Sequence, residues 1–187
     1  MTDRVFLYTE RILLRDFTAD DLQAVHEYAI DAEVVRYLDW GPNSEQQTKE
    51  FIARTICQQQ ETHRRQYELA VVLRDTNRLI GSCGLRISRP EDRGGDIGYC
   101  LSRGSWGRGC ATEAAQAIVA FGFEQCGLHR IFATCDTQNH ASRRVLEKLG
   151  MRREGEFLQD KWQRAQWRDS LLYAIIADEC KANQAEA

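Results

Sequence analysis

Apolar and polar residues along the chain alternate with two different periods, and the change of period falls near the middle. "RILLRDF" (11–17) reads as a first strand. "TADDL" follows, with Thr18 as the expected N-cap and Asp21 three residues on, where a carboxylate suits the positive end of a helix. "NSEQQTKEFIARTICQQ" opens behind Pro42 on Ser44 and Gln47, the spacing of a capping box, and predicts a helix to about His63. "YELAVVLR" and "RLIGSCGLRIS" are strands joined through "DTN", a hairpin. "RPEDRGG" is a second turn and "DIGYCL" a third consecutive strand, with antiparallel pairing the default between such neighbours.

The period then becomes helical. Ala111, Ala114, Ala115, Ile118, Val119 and Gly122 recur on one face. "HRIFATCD" is a short strand. "NHASRRVLEKLG" is a compact helix with Ala141, Val145, Leu146 and Leu149 inward and Gly150 as its stop. "RDSLLYAIIADE" is a long closing strand, and 181–187, "KANQAEA", a frayed polar tail. Strand, helix, strand between 96 and 135 requires a right-handed crossover and a parallel pair. The pattern therefore predicts a single α/β (α+β) domain over 1–187, its sheet antiparallel early and parallel in the middle.

Composition narrows the partners. At 187 residues the chain can bury a core without staples. Its formal charge of −3 supplies neither a basic nucleic-acid face nor a polybasic membrane tail. The start lacks an apolar signal core and no window of about 18 apolar residues occurs, so a cytoplasmic protein with no membrane partner is expected. Seven cysteines, odd in number and without a C-x-x-C pair, argue against a disulfide frame and a zinc site. His26, His63, His129 and His140 have no metal-ligand spacing, so no metal is expected.

The candidate chemistry begins at "SRGSWGRGCATEAA" (102–115), which joins a strand's end to a helix's start. The first N–H groups of a helix have no internal partner and the macrodipole adds positive charge, which together favour an anion, typically phosphate. Gly107 and Gly109 let backbone approach a ligand, and Arg108 can add a charge-assisted contact. The run is no P-loop, since the lysine is missing, and "GRGCAT" lacks the third glycine of a dinucleotide fingerprint. A tight turn with no ligand is the competing reading of the loop alone.

"SWGRGCATEAAQAIVAFGFEQCGLHRIFATCDTQNHASRRVLEKLGMRREGEF" resembles the GNAT acetyltransferase superfamily, within it the RimJ/RimL-type protein N-acetyltransferases. The superfamily's acetyl-CoA signature is Q/R-x-x-G-x-G/A. "WGRGCA" supplies Gly109 and Ala111 at its small positions, with Trp106 where Gln or Arg is usual. "TERILLRDFTADDL", "IGYCL", "NHAS" and "RDSLLYAII" extend the resemblance over nearly the whole chain. It implies a mixed, mostly antiparallel twisted sheet with flanking helices, in which the parallel pair, here 96–101 and 130–136, splays apart. The resemblance implies acetyl-CoA as co-substrate. Its pantetheine would lie beside Cys100, Leu101 and Ser102, and its pyrophosphate on Gly107, Arg108, Gly109, Cys110, Ala111 and Thr112, with Asn139 and Ser142 completing the site.

The reaction implied is attack of a neutral amine on the thioester, with a proton donor for the leaving thiolate. A strand N–H near Cys100 is expected to meet the developing oxyanion. Many members place a tyrosine seven residues after the asparagine that Asn139 matches, but here that position is Leu146. RimL-type enzymes point instead to Ser142, with Cys135 beside the sulfur. Helix capping and core packing compete as readings of these two. Asp96 and Glu68 are rival bases, each also readable as an ordinary solvated carboxylate. Tyr37 and Trp40 are expected to flank the acceptor, with Trp162 and Trp167 closing the other side. The favoured acceptor is a protein N-terminal α-amine, because an α-amine near pKa about 7.7–8.0 needs little help to be neutral, whereas lysine at about 10.4 needs much more. A small-molecule amine acceptor (polyamine, aminoglycoside or amino acid) and a non-catalytic acyl-CoA-binding module remain the alternatives. The sequence allows a homodimer without specifying one.

Overall fold

The computed structural model describes residues 4–180. In chain order the strands are β1 (Phe6–Tyr8), β2 (Ile12–Asp16), β3 (Gln66–Leu73), β4 (Leu79–Arg89), β5 (Gly94–Leu101), β6 (Arg130–Asp136), β7 (Arg152–Gln163) and β8 (Gln166–Ile176). The helices are α1 (Leu22–Ala29), α2 (Glu45–Gln59), α3 (Cys110–Glu124) and α4 (His140–Lys148). One eight-stranded sheet runs β1-β2-β3-β4-β5-β6-β8-β7. All its pairings are antiparallel except β5–β6, the parallel pair expected from the strand–helix–strand pattern.

Each face of the sheet carries its own core. On one, α3 lays Ala114, Ala115 and Ile118 against Leu85, Ile97 and Ile131. A Cβ on Gly122 would lie 2.8 Å from Ile131 Cδ1, so glycine is what lets α3 sit this close. On the other face, α1 and α2 bring Val25, Tyr28 and Ile52 onto Ala70 and Val72. The Ser44–Gln47 capping box forms as expected, with the Gln47 amide donating to Ser44 Oγ at 3.2 Å.

Several boundaries differ from the sequence reading. Ala19–Asp21 make a single 3₁₀ turn before α1, although the Thr18 amide does donate to Asp21 Oδ2 at 2.8 Å. Helix α2 stops at Gln59 rather than near His63, and β8 stops at Ile176. In α4, Leu146 and Leu149 are buried, but Ala141 is exposed at a cavity instead of facing the core. Strands β1 and β7 had no signal. β1 has only three residues, and β7 is almost wholly exposed, so neither shows the alternation that marks a half-buried strand. The predicted tail at 181–187 lies outside the described residues.

Ile118 is fully buried and remote from the cavity described below. Ile118→Ala is expected to cost about 2–5 kcal/mol of stability. A urea titration measures this as a lower midpoint at unchanged slope.

Candidate active site

β5 and β6 stay together for only three rungs: Gly94↔Arg130, Gly95↔Ile131 and Asp96↔Phe132. Beyond them β5 keeps β4 and β6 keeps β8, so Ile97–Leu101 and Ala133–Asp136 face each other without pairing. Half of the backbone N–H and C=O groups of an unpaired strand edge point outward. Here they point into a cavity of about 700 Å³ between the two strands. This is the splayed pair that the resemblance implied.

The glycine loop stands at one end of the gap. Gly107 has φ +72° and Gly109 φ +81°, a left-handed conformation that costs other residues about 1–2 kcal/mol. Gly109 is the N-cap of α3, so the amides of Cys110, Ala111 and Thr112 precede the first intrahelical acceptor. Gly107, Gly109, Cys110, Ala111 and Thr112 all line the cavity. Arg11 fastens the loop from outside. It donates to the Arg108 carbonyl at 2.7 Å and to Glu113 Oε2 at 2.7 Å, while Thr9 Oγ1 donates to Glu113 Oε1 at 2.5 Å. The Trp106 indole N–H donates to the Leu101 carbonyl at 2.8 Å and clasps the loop to the end of β5.

Two expected loop contacts are corrected. The Arg108 side chain is not in the lining; its role visible here is the carbonyl that Arg11 holds. Ser102 also lies outside, because its amide is spent on Ile80 O at 2.7 Å and its hydroxyl pairs with Ser105. Cys100 and Leu101 do line the gap. Burial, reinforced by the charge of Glu68, pushes the Cys100 thiol up to about 12.

Across the gap, the Asn139 side chain caps α4 by accepting from the Ser142 amide at 3.1 Å. The Ser142 hydroxyl is therefore free of capping, and it sits 2.9 Å from the Tyr99 hydroxyl. Tyr99 also donates to the Ser142 carbonyl at 3.1 Å. Burial raises the proton affinity of Tyr99, which keeps it a neutral phenol. Tyr99 was not singled out from the sequence, since only the tertiary fold brings β5 against α4. Cys135 lines the same wall. Burial and then Asp136 push its thiol up to about 11, against the opposing pull of Arg143 and Lys161.

The two carboxylates expected near the reaction are not equivalent. Asp96 lies in the paired part of β5, bound to Arg86 at 3.1 Å, outside the lining. Glu68 is on β3 on the α1/α2 face, cross-strand from Gly84, which is cross-strand from Gly98 in the cavity wall. A Cβ on Gly84 would come within 2.4 Å of Glu68 Oε2, so the carboxylate lies over that glycine. Burial raises its pKa, while the Ser82 hydroxyl and Arg54 oppose the shift.

At the acceptor end Tyr37 lines the cavity, with the Arg168 guanidinium 5.7 Å from its ring centre. Trp40 does not; it stands in a segment fixed by Arg164, which donates to the carbonyls of Val35 at 2.9 Å and Gly41 at 3.0 Å. Trp162 and Trp167 stack edge-on at 5.3 Å, and neither lines the cavity. Strand alternation explains the correction: their neighbours Lys161 and Arg168 take the cavity face. Among the described residues no cluster of three or more His, Cys, Asp or Glu could hold a metal, and no helix is long and apolar enough to cross a membrane.

The acetyltransferase (GNAT) domain family matches residues 11–152, and the chain belongs to that family. The uncharacterized N-acetyltransferase YnaD of Bacillus subtilis is 37% identical, covering 91% of this chain and 96% of the relative. A GNAT-family acetyltransferase from Bacillus anthracis has a crystal structure with a TM-score of 0.83 at 35% identity, covering 93% of this chain and 99% of that one. The protein is thus an N-acetyltransferase. Two more distant matches differ in acceptor. Spermidine N(1)-acetyltransferase of Escherichia coli is 25% identical over 88% of this chain and 86% of its own length. RimL, a ribosomal L7/L12 α-N-protein acetyltransferase solved with coenzyme A, shares the fold at TM-score 0.84 and 20% identity, over 94% of this chain and 99% of its own.

A thiol held near 11 reacts through a thiolate fraction that grows about tenfold per pH unit below that value. Alkylation of Cys135 by iodoacetamide, followed by peptide mass spectrometry, is expected to be negligible at pH 7 and to climb with that slope. A rate independent of pH would contradict the buried, neutral thiol.

Proposed function

We propose that the protein transfers an acetyl group from acetyl-CoA directly to the α-amine of a polypeptide N-terminus. The observation that carries the donor half is that one cavity is lined both by the open β5 edge from Ile97 to Leu101 and by the glycine loop and first turn of α3, Gly107, Gly109 and Cys110–Thr112. That layout fits the donor. An extended amide-bearing arm suits a strand edge, and a pyrophosphate suits a helix N-terminus whose glycines leave the approach clear. Arg144 and Lys148, one helical turn apart in the lining, add positive charge for the phosphates.

The thioester supplies an activated acetyl carbon; the chain's residues handle the protons and the developing charge. As the new C–N bond forms and the C–S bond breaks, the departing sulfur takes one proton and the amine loses one. Ser142 is the donor to the sulfur. Tyr99 has one proton and two acceptors, the carbonyl and the hydroxyl of Ser142. When it donates to the hydroxyl, the Ser142 proton is freed for the cavity, so Tyr99 acts as a positioning residue. An N–H on the β5 edge near Cys100 meets the charge on the carbonyl oxygen. Neither carboxylate lines the cavity, and Glu68 is favoured over Asp96 as base because Asp96 is tied to Arg86 whereas Glu68 lies over Gly84, whose cross-strand neighbour Gly98 is in the wall. A carboxylate raised by burial is a better base at neutral pH than an ordinary one.

The N-terminal α-amine is favoured over a polyamine by the charge of the lining. With Arg144 and Lys148 given to the phosphates, Glu33 and Asp136 are matched by Arg36 and Arg168, and Lys161 leaves the acceptor end with an excess of positive charge. A polycation gains nothing from such a wall.

The decisive experiment pairs acetyl-CoA titration calorimetry with thiol release from peptide acceptors. Binding is expected, and is lost in Gly109→Glu, whose side chain would meet Arg11 from a left-handed backbone. Peptides with a free α-amine are expected to outrun N-blocked lysine peptides and spermidine, with kcat/KM rising to a plateau above pH of about 8 as the α-amine loses its proton. Preference for lysine or spermidine overturns the acceptor assignment, and no binding of acetyl-CoA overturns the donor. Ser142→Ala should lower kcat by about 10²–10⁴-fold with acetyl-CoA binding retained. Tyr99→Phe should lower it less.

A further inference from the structure

Lys161 is a cation that the fold has placed in the cavity without a counter-ion. Its Nζ lies 3.4 Å from Thr134 Oγ1, and among the described residues it makes no ion pair with a carboxylate. Its cross-strand neighbour is Arg168, and both side chains take the cavity face. Like charges set opposite each other on two strands are destabilising. Arg168 is neutralised by Asp136, its Nε 2.6 Å from Oδ2, with both side chains largely buried. Asp136 also accepts from the Gln138 amide through its other oxygen at 2.8 Å, so it is fully engaged. Glu33, the remaining carboxylate of the lining, lies 3.7 Å from Arg36. Lys161 keeps its charge unmatched.

The backbone around Lys161 is built to aim it. Pairing of β7 with β8 slips between Phe157↔Ser170 and Lys161↔Arg168: four steps on one strand answer two on the other. The slip is held by Gln159, a non-glycine residue at φ +50°, whose amide donates to Asp169 Oδ1 at 2.7 Å. Bulges of this kind re-aim side chains beside active sites. Its contact with Thr134, the residue before Cys135, sets it beside the β6 wall of the same cavity that Ser142 lines.

We propose that the acceptor carries a carboxylate close to its reacting amine, and that Lys161 selects for it. The matching chemistry is an acidic side chain at the first or second residue of a polypeptide N-terminus, or the α-carboxylate of a free amino acid. The proposal rests on the transferase reading for the identity of the cavity, while the charge selection stands on the lining itself. A bound carboxylate would fill the position between Lys161 and the neutralised Arg168. The same cation disfavours a polyamine at that position and favours the neutral form of the incoming amine over its ammonium.

The test is calorimetric titration of the CoA-saturated protein with C-terminally amidated peptides. The peptides are identical except for Glu, Gln or Lys at the second position; free glutamate and spermidine are titrated beside them. The Glu peptide is expected to bind about tenfold more tightly than the Gln peptide, with the Lys peptide and spermidine weaker still. The ratio should shrink between low and high salt. Lys161→Arg should keep the preference, Lys161→Gln should abolish it and Lys161→Glu should reverse it, with folding checked by circular dichroism. Selective binding of free glutamate alone would assign the carboxylate to an amino acid rather than a peptide. Equal binding of the three peptides without selective glutamate binding, tighter binding of the Lys peptide or spermidine, or an acidic preference that survives in Lys161→Gln, overturns the proposal. Thiol release from acetyl-CoA, measured on the same acceptors, reports separately on transfer. Charge-selective binding without thiol release would fail the transferase reading and leave the selection by Lys161 standing.

Discussion

The three-rung pairing of β5 with β6 is the constraint on which everything else in this molecule hangs. A longer parallel pairing would close the sheet and erase the cavity, whereas none would leave two unconnected half-sheets. Gly94, Gly95 and Asp96 hold the halves together, and the strands then follow different partners, β4 on one side and β8 on the other. The cost is a row of unsatisfied backbone groups in mid-sheet, which a folded protein tolerates only where water or a ligand can reach them. The glycine loop, the cap of α4 and the Tyr99–Ser142 contact are all arranged around that opening.

Local signals made much of this legible before any coordinates. The capping box at Ser44, the helical period after Ala111 and the two glycines of the loop act over a few residues, so the chain displays them directly. The family resemblance supplied the splay, which no local pattern encodes. What stayed hidden are contacts between distant parts of the chain. Arg11 reaches Glu113 across 102 positions and Arg164 reaches Val35 across 129. Neither arginine differs locally from any other surface cation. β7 was silent for a related reason: it is an edge strand, exposed on both faces, so burial imposes no alternation on it.

The aromatic residues illustrate how parity decides a role. Trp162 and Lys161 are neighbours, yet the pleat sends one away from the cavity and the other into it. A reading that weighted aromatic bulk chose the tryptophans, whereas the register shift at Gln159 gives the wall to charge instead. Asp96 and Glu68 divide similarly. The first is held by Arg86 within the paired rungs, and the second lies over a glycine that makes room for it.

The family match ends at residue 152, where β7 begins. The gap, the glycine loop and Ser142 fall inside the matched span, while Lys161, Gln163, Arg164 and Arg168 fall beyond it. One side of the acceptor wall is therefore built by the β7–β8 hairpin, whose β8 runs in the sheet beside β6 and whose Arg164 and Arg168 reach the 35–41 segment. The donor and acceptor ends of the cavity are thus built from different stretches of the chain. A change of register or charge in that hairpin would recast the acceptor wall while the glycine loop and Ser142 keep their places, so what is modified and what is donated answer to separate parts of one cavity.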